Sequence, residues 1–316
     1  MTAGGDGGEK GALAAAQTDD EALLRRLLRP LRRRRVTYAT GVSDPDSAAL
    51  PALLLSLADE ADEAEVEVEL HDYFPVSPSY TLLDAGGRFR GPVVAGTEAA
   101  RDLAHRARRP DGTSLALDDW QAAWRPLLAR ARVTAFSRAS LDLLLAAYPE
   151  AGPRARVAPH EPLASVAPVP RPEGPRVLGV LGNIAPHKGA ALLQGVARRL
   201  PSGGVARLVL LGDMDPAFAL PRSARVHGPY EPGDIAGLAR RHGITDWLIP
   251  SVWPETFSFT VREALATGLP TWAFDLGAQG EAVRAAPNGR PLPYALSTDP
   301  AAVLAAIGGD QSWARP

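Results

Sequence analysis

Short apolar runs alternate with amphipathic segments along most of the chain. Residues 36–42 and 66–70 are predicted strands, and residues 48–61 between them carry leucines at helical spacing. A strand–helix–strand order of this kind is typical of a parallel sheet. Ligands of parallel sheets bind beyond the carboxyl ends of the strands, so His71 and Asp72, which follow the second strand, are expected at a ligand crevice.

The second half of the chain shows the same alternation more clearly. Its predicted strands cover residues 177–182, 208–213, 225–230, 246–250 and 271–275. Its predicted helices cover residues 190–200, 234–242, 259–267 and 300–307. Residues 161–175 between the halves are rich in proline, which is typical of an interdomain linker. The pattern predicts a flexible tail over residues 1–17 and two α/β domains, over 18–165 and 166–316.

The segment after the strand at 246–250 has the residues of a sugar-phosphate site. Glu255 lies in a loop, Ser258 is a predicted N-cap, and Glu263 lies inside the helix that follows. Free backbone N–H groups at such a helix start attract anions, and ionised carboxylates accept hydrogen bonds from hydroxyl groups. We therefore expect a sugar or ribose next to a phosphate here, with Phe259 and Thr260 in the first helical turn beside it.

A second candidate anion site follows the strand at 177–182. Gly182 and Lys188 flank a strand-to-helix turn, where phosphate binds a helix N-terminus. The chain has only one other lysine, Lys10, and otherwise uses arginine. The turn is not a P-loop, because the spacing G-x-x-x-x-G-K-[ST] is missing. The alternative interpretation is an ordinary surface lysine near a helix start.

Composition excludes several classes of protein. The net charge is −2, which gives no general attraction to nucleic acid. The chain has no cysteine, no H-E-x-x-H motif and no histidines at ligand spacing, so neither a disulfide framework nor a metal site is predicted. No apolar run reaches the length of a membrane span and no signal peptide is evident, so the cytoplasm is the expected location.

Residues 18–35 combine an apolar leucine stripe with many arginines, and they predict a basic amphipathic helix that Pro30 ends or kinks, with the basic run continuing to Arg35. Two interpretations stay open. The favoured one is a helix that packs on its own domain and leaves its basic face in solvent. The other is contact with a partner protein or with an anionic membrane surface, which would place the protein peripherally on the inner face of the membrane.

The segment around Glu255 resembles the E-x7-E motif of GT4-type (group 1) retaining glycosyltransferases. P-E-T-F precedes the helix, E-A-L-A-T-G-L-P runs along it, and a strand and a Gly-rich loop with Glu281 follow. The turn at Lys188 is similar to the G…K-G loop of these enzymes, and H-D-Y-F-P-V-S-P from His71 resembles their bacterial polysaccharide-type members. The resemblance implies the GT-B fold, two Rossmann-like domains facing a cleft, here with a reduced N-terminal domain.

The resemblance also implies a reaction and a role for each site residue. A hexose would move with retention, and without a metal or cofactor, from a UDP-, GDP- or ADP-sugar to a hydroxyl of a glycan, lipid-linked or protein acceptor. The implied roles are Lys188, Gly182 and the helix start at Ser258, Phe259 and Thr260 for the diphosphate, Glu255 and His71 for the donor sugar, Glu263 for the ribose, and Gly228 and Tyr230 for the base. Ser137 and His160 are expected to face the cleft. For His71, a strand-end histidine that bonds nearby backbone is the alternative.

The N-terminal half departs from the family pattern. It is short, and no evident Gly-rich turn follows its first strand. A second hypothesis is therefore a catalytically silent GT-B-like subunit that binds glycan or supports a partner transferase. Lys188 and the pair of glutamates favour the enzyme over this second hypothesis.

Overall fold

The computed structural model describes residues 17–160, 165–201 and 207–308. These residues form two parallel β-sheets and one short antiparallel pair of strands. The tail predicted over residues 1–17 lies outside the described residues except for its last position, as does the start of the predicted linker. None of the helices in these ranges has the length and apolar content that crossing a bilayer requires.

The N-terminal half forms a four-stranded parallel sheet. The described residues of this half contain six strands: β1 (Arg33–Tyr38), β2 (Glu63–Glu69), β3 (Ala107–Arg108), β4 (Ser114–Leu115), β5 (Arg132–Ala135) and β6 (Ala155–Val157). Strands β3 and β4 form a separate antiparallel pair, and the other four form the sheet. Its helices are α1 (Glu21–Leu28), α2 (Leu50–Asp59), α3 (Leu117–Arg130) and α4 (Arg138–Ala147), with 3₁₀ turns at Ala99–Arg101, Leu103–His105 and Pro149–Arg154. The sheet order is β1-β2-β5-β6, without a reversal.

The C-terminal half forms a six-stranded parallel sheet. Its strands are β7 (Leu178–Leu181), β8 (Leu208–Leu211), β9 (Arg225–Gly228), β10 (Asp246–Ile249), β11 (Thr271–Phe274) and β12 (Gly289–Leu292). Its helices are α5 (Ala190–Arg199), α6 (Ile235–His242), α7 (Phe259–Ala266), α8 (Gly277–Ala285) and α9 (Pro300–Gly308). Further 3₁₀ turns lie at Pro186–Lys188, Pro216–Phe218, Pro232–Asp234 and Tyr294–Thr298.

The order of the C-terminal strands creates a ligand crevice. It runs β12-β11-β10-β7-β8-β9, so the chain leaves β7 in one direction along the sheet and β10 in the other. Residues in β7, β8 and β10 are buried, as the continuous apolar runs predict for strands covered on both faces. In such sheets ligands bind where the strand order reverses. The loops after β7 and β10 therefore flank the expected site.

The predicted basic helix does not extend over all of residues 18–35, because it ends before Pro30, where the proline was expected to end or kink it. Helix α1 ends at Leu28, and Arg33 and Arg35 belong to strand β1. There they form ion pairs with Glu63 and Glu65 on the neighbouring strand β2. Alternating charges that pair across two parallel strands stabilise an extended conformation, which a helical pattern search does not detect.

The predicted Gly-rich loop around Glu281 is wrong as well, because these residues form the first turns of α8. Gly277 has a positive φ of 55°, and a Cβ there would lie 2.6 Å from the Cα of Pro254. The Ala278 N–H donates to the Glu255 carbonyl at 2.8 Å. The glycines thus permit close packing of the helix start against the loop that carries Glu255.

The two domains contact each other through the loop after β10. Trp253 is buried in the hydrophobic core of the N-terminal domain. The Thr256 hydroxyl donates to the His71 carbonyl at 2.7 Å, and the Ala139 N–H at the start of α4 donates to the Glu281 carboxylate at 2.9 Å. An indole inserted into the neighbouring core, together with these hydrogen bonds, fixes how the two domains meet.

Gly189 gives a test of how tightly the loops at the sheet reversal pack. It has a φ of 84°, and a Cβ there would lie 2.0 Å from the Pro250 carbonyl oxygen, whereas Gly243 has a φ of 65° and open space around it. We expect Gly243→Ala to lose about 1–2 kcal/mol for its left-handed conformation. Gly189→Ala should lose on the order of 3 kcal/mol or more, because it must also displace backbone. Urea unfolding of both variants measures the difference; equal losses would contradict the close packing.

Candidate active site

The loops after β7 and β10 meet at the reversal point of the C-terminal sheet. Gly182 ends β7 with a φ of 102°, and a Cβ there would lie 3.2 Å from the Thr260 methyl group in the first turn of α7. The predicted phosphate turn and the predicted N-terminus of the glutamate helix are thus in contact. Their sequence separation gives no hint of this distance, but the strand order requires it.

Lys188 lies at the end of the 3₁₀ turn Pro186–Lys188, directly before α5. Its backbone N–H donates to the Ala185 carbonyl at 2.9 Å, and its side chain is half-buried. No carboxylate in the described ranges forms an ion pair with it. Its positive charge, together with burial, lowers the pKa of the neighbouring His187. An unpaired, half-buried ammonium group is available to an anionic ligand.

Glu255 is held rigidly by its backbone while its carboxylate has no partner. Its N–H donates to the Gln279 side-chain oxygen at 3.0 Å, and the Gln279 amide donates to the Trp253 carbonyl at 2.7 Å. Glu255 is only 5% exposed, yet its carboxylate makes no hydrogen bond or ion pair to the part of the chain that the structure describes. A carboxylate without a partner in the protein can accept hydrogen bonds from ligand hydroxyl groups.

The start of α7 leaves backbone donors free. Ser258 occupies the predicted N-cap position, but its side chain does not cap the helix and lies 3.4 Å from the Thr260 hydroxyl. Phe259, the first helical residue, is 50% exposed. The first N–H groups of a helix have no intrahelical partner, and here no side chain replaces one. The helix therefore presents donors and its positive dipole end to the crevice.

Glu263 and Tyr230 lie close enough for their side chains to interact. Burial raises the pKa of Glu263, and the hydrogen bond from the Tyr230 hydroxyl opposes this rise in part. Burial also raises the pKa of Tyr230, with the Glu263 charge adding to it. The tyrosine therefore remains a hydrogen-bond donor beside a half-buried carboxyl group.

A row of glycines forms the edge of the crevice beside β7, β8 and β9. Gly212 has a φ of 122°, and a Cβ there would lie 2.3 Å from the Gly182 carbonyl oxygen. Its N–H donates to the Gly228 carbonyl at 2.8 Å. Sequence reasoning singled out Gly182 and Gly228 but missed Gly212, although a glycine directly after an apolar strand was the available signal. The edge is bare backbone, which allows a flat ligand to approach closely.

His71 lies at the domain interface. Its Nε2 is 3.1 Å from the Glu69 carboxylate, and its ring packs on Phe136 and on His160. His160 also contacts Phe257 of the C-terminal domain, with ring centroids 5.0 Å apart. His160 therefore lies against the C-terminal domain, and contact of His71 with a donor sugar stays a prediction.

Two further residues after the N-terminal strands serve the local structure. The Asp72 carboxylate accepts from the Thr40 hydroxyl at 2.7 Å and from the Phe74 N–H at 2.8 Å, and burial raises its pKa. Ser137 is buried and caps α4, where its hydroxyl accepts from the Ser140 N–H at 3.1 Å. Ser137 therefore does not face the cleft, because its side chain is used as a helix cap.

Two cavities lie on the N-terminal side of the interface. One of about 400 Å³ lies between residues 78–87 and the turn at Pro186 and His187, next to Lys188. The other, of about 780 Å³, is lined mainly by polar residues between positions 82 and 105. Asp84 lines both, so the two cavities are neighbours. A second substrate could reach the surroundings of Lys188 from this side.

In the described ranges no three or more His, Asp or Glu side chains are arranged to hold a metal ion. Independence from metals and cofactors stays a prediction.

Comparisons with known proteins agree with this architecture. No family model matches the chain. A GDP-mannose-dependent alpha-mannosyltransferase of Mycobacterium tuberculosis is 33% identical over 126 residues, which are 39% of this chain and 31% of that enzyme. Sucrose-phosphate synthase of Thermosynechococcus elongatus matches 91% of this chain and 66% of its own length, with a TM-score of 0.57 and 16% identity. Anabaena Alr3699/HepE, crystallised with UDP-glucose, has the same TM-score and identity over 93% of this chain and 73% of that protein.

These likenesses confirm the GT-B fold that the sequence predicted. The segment matched in the mannosyltransferase is about a third of that enzyme, and the chain spans about two thirds of the synthase. The N-terminal sheet has four strands and the C-terminal sheet six, in agreement with the expected reduced N-terminal domain.

The raised pKa of Glu263 predicts a pH dependence of stability. As the pH rises above the usual carboxyl value of 4.5, the unfolded chain ionises Glu263 before the folded chain does. The free energy of unfolding should therefore fall through this interval, up to the raised pKa, and Glu263→Gln should remove that fall. Tyr230→Phe should enlarge it, because the opposing hydrogen bond is lost. Urea unfolding between pH 4 and 8 tests both variants, and an identical profile for wild type and Glu263→Gln would contradict the raised pKa.

Proposed function

We propose that this protein is a glycosyltransferase that uses a nucleotide diphospho-sugar as donor. One observation carries the proposal. At the reversal point of the C-terminal sheet, a half-buried lysine without an ion pair and a buried glutamate without a hydrogen-bond donor flank an uncapped helix start. Fixed positive potential suits a diphosphate, and an unsatisfied carboxylate suits the hydroxyl groups of a sugar.

Each group has a distinct part in the proposed reaction. The bond between the anomeric carbon and the diphosphate breaks, the acceptor oxygen bonds to that carbon, and the acceptor proton goes to the departing diphosphate. Lys188 and the start of α7 stabilise the charge that develops on the diphosphate. Glu255 holds sugar hydroxyl groups, and Glu263 with Tyr230 holds the ribose and base. His71 approaches the sugar from the N-terminal domain.

The donor and the acceptor are further parts of the proposal. We propose a hexose donor, and GDP-mannose and UDP-glucose are the first to test, because one relative is a GDP-mannose-dependent enzyme and one structural neighbour was crystallised with UDP-glucose. The acceptor, a hydroxyl compound, would enter through the cavities beside Asp84. Transfer would proceed with retention and without a metal, which the anomeric configuration of the product and activity in the presence of a chelator test.

A thermal-shift screen tests donor binding directly. UDP, GDP, ADP and their hexose conjugates are added to the full-length protein, and a ligand at a hundred times its dissociation constant should add about 2.7 kcal/mol of stability. A shift with one nucleotide family supports the proposal and identifies the base. No shift with any of them would contradict it and would favour the catalytically silent subunit.

Lys188→Ala should lower turnover more than donor binding. The diphosphate gains charge as its bond to the sugar breaks, so a fixed cation stabilises the transition state more than the ground state. We expect a fall in kcat on the order of a hundredfold, with little change in KM for the donor. Lys188→Arg should retain only part of the wild-type turnover, because a planar guanidinium needs more room in this tight turn than an ammonium group.

The matched control for this variant is Arg241→Ala. It removes an exposed positive charge from α6 of the same domain, away from the sheet reversal. Its steady-state kinetics should equal those of the wild type. If Lys188→Ala also keeps wild-type turnover, the diphosphate site lies elsewhere.

Glu263→Ala should weaken binding of the free nucleoside diphosphate, because a ribose hydroxyl loses its acceptor. A hydrogen bond to a charged group contributes roughly 1.5–3 kcal/mol, which corresponds to an affinity loss of about ten- to a hundredfold. Calorimetric titration of both proteins with the nucleotide found in the screen measures the loss. Equal affinities would remove Glu263 from the ribose site.

A further inference from the structure

Tyr73 combines complete burial with an unsatisfied hydroxyl group. Its side chain has no exposed surface, and its hydroxyl has no hydrogen-bond partner among the residues that the structure describes. Tyr148 in the same core donates to the Pro75 carbonyl at 2.7 Å, which is the usual arrangement for a buried tyrosine. A buried donor without a partner is costly, and a partner that arrives when a ligand binds would explain why the hydroxyl is kept.

The chain around Tyr73 lies alongside the chain around Glu255. The His71 carbonyl accepts from the Thr256 hydroxyl at 2.7 Å, and the Tyr73 ring meets the Trp253 ring edge-on, with centroids 6.3 Å apart. Two contacts, one on each side of Glu255, thus align the two segments across the domain interface. Burial raises the pKa of Tyr73 and the negative charge of Glu255 adds to the rise, so the tyrosine remains protonated.

Only the side chain of Glu255 is free to adjust. Gln279 bonds the backbone of both Trp253 and Glu255, and the Glu255 carbonyl accepts from Ala278. A carboxylate has two oxygens and only accepts hydrogen bonds, so it can serve a ligand and a protein donor at the same time. Rotation about the side-chain bonds of Glu255 changes the direction of its two oxygens while the backbone stays in place.

We propose that Tyr73 is a positioning residue for Glu255: its hydroxyl donates to one carboxylate oxygen when a nucleotide sugar binds and leaves the other for hydroxyl groups of the sugar. The inference rests on the proposed function. A sugar hydroxyl that donates to Glu255 fixes the orientation of the carboxylate and turns its second oxygen towards Tyr73. Because Tyr73 and Glu255 belong to different domains, the bond couples recognition of the sugar to contact between the domains.

Tyr73→Phe tests the hydroxyl while it keeps the ring and its packing against Trp253. Tyr38→Phe is the matched control, because Tyr38 is also a buried tyrosine with an orphaned hydroxyl but lies near Asp72 instead. Calorimetry with the full-length proteins compares the nucleoside diphosphate with its sugar conjugate, GDP with GDP-mannose and UDP with UDP-glucose. For Tyr73→Phe we expect an unchanged affinity for the nucleoside diphosphate and a loss of about ten- to a hundredfold for the conjugate. Tyr38→Phe should match the wild type with both ligands.

Unfolding of the ligand-free protein separates this role from a purely structural one. Tyr73→Phe should keep or raise the melting temperature, because it removes a buried polar group without a partner. In a double-mutant cycle, Tyr73→Phe should have no further effect on the affinity for the conjugate in a Glu255→Ala background, since the tyrosine acts through the carboxylate.

The possible failures are distinguishable. If the wild type binds none of these nucleotides, the proposed function falls and the role of Tyr73 falls with it. If the wild type gains affinity from the sugar and Tyr73→Phe gains as much, the role of Tyr73 is wrong and the proposed function stands. A lower melting temperature of the ligand-free Tyr73→Phe protein, or an additive effect with Glu255→Ala, would also overturn the inference.

Discussion

The segment from Trp253 to Thr256 is packed from both sides, and the geometry of the site depends on this packing. Its indole is buried in the N-terminal core, while Gln279 and Ala278 of α8 bond its backbone from the C-terminal side. A segment fixed in this way places the Glu255 side chain at one position relative to both domains. Helix α7 begins shortly after this segment, at Phe259, so the segment also holds the start of the helix in place.

Three side chains near the interface have no hydrogen-bond or ion-pair partner within the described part of the protein. Glu255 and Tyr73 are buried without hydrogen-bond partners, and Lys188 is half-buried without an ion pair, all within the described ranges. Elsewhere arginines and carboxylates are well paired, as along β1 and β2. Unsatisfied groups that lower the stability of the free protein are expected where a ligand completes them. Glu255 and Lys188 lie at the crevice that the strand order marks, whereas other unpaired groups, such as the Tyr38 hydroxyl and the Trp124 indole, lie in the N-terminal core.

The sequence predicts the C-terminal domain better than the N-terminal one, and the reason is burial. Strands such as β7 and β8 are covered on both faces, so they are continuous apolar runs with clear ends. Strand β1 begins with three arginines that lie beside a glutamate-rich neighbour, and its start is hidden in a basic pattern. In the sequence, Gly277 and Gly280 suggest a loop. In the structure they lie in a helix, where glycine is needed because Pro254 and Asp275 approach the backbone too closely for a Cβ atom.

The residues of the candidate site also differ in how well the sequence predicts them. The positions of Gly182, Lys188 and Glu255 after strands, and of Glu263 inside a helix, could be predicted because the flanking strands and helices are recognisable in the sequence. The hydrogen bond of Thr256 to His71 joins residues 185 positions apart, and no sequence pattern at either residue predicts it. No sequence pattern predicts a role for Tyr73 or Gln279 either, because their roles depend on the residues that pack against them in the fold.

The N-terminal sheet has no strand-order reversal, and this determines what each domain can contribute to ligand binding. Without a reversal it lacks the crevice in which a parallel sheet binds phosphate. What its carboxyl edge offers instead are aromatic rings and backbone carbonyls: Phe136, His160 and the carbonyl of His71 all contact or adjoin the C-terminal loop. Donor recognition in the C-terminal domain would therefore depend on a neighbour that contributes shape and a few hydrogen bonds, but no anion site of its own. The groups at this edge follow strands β2, β5 and β6.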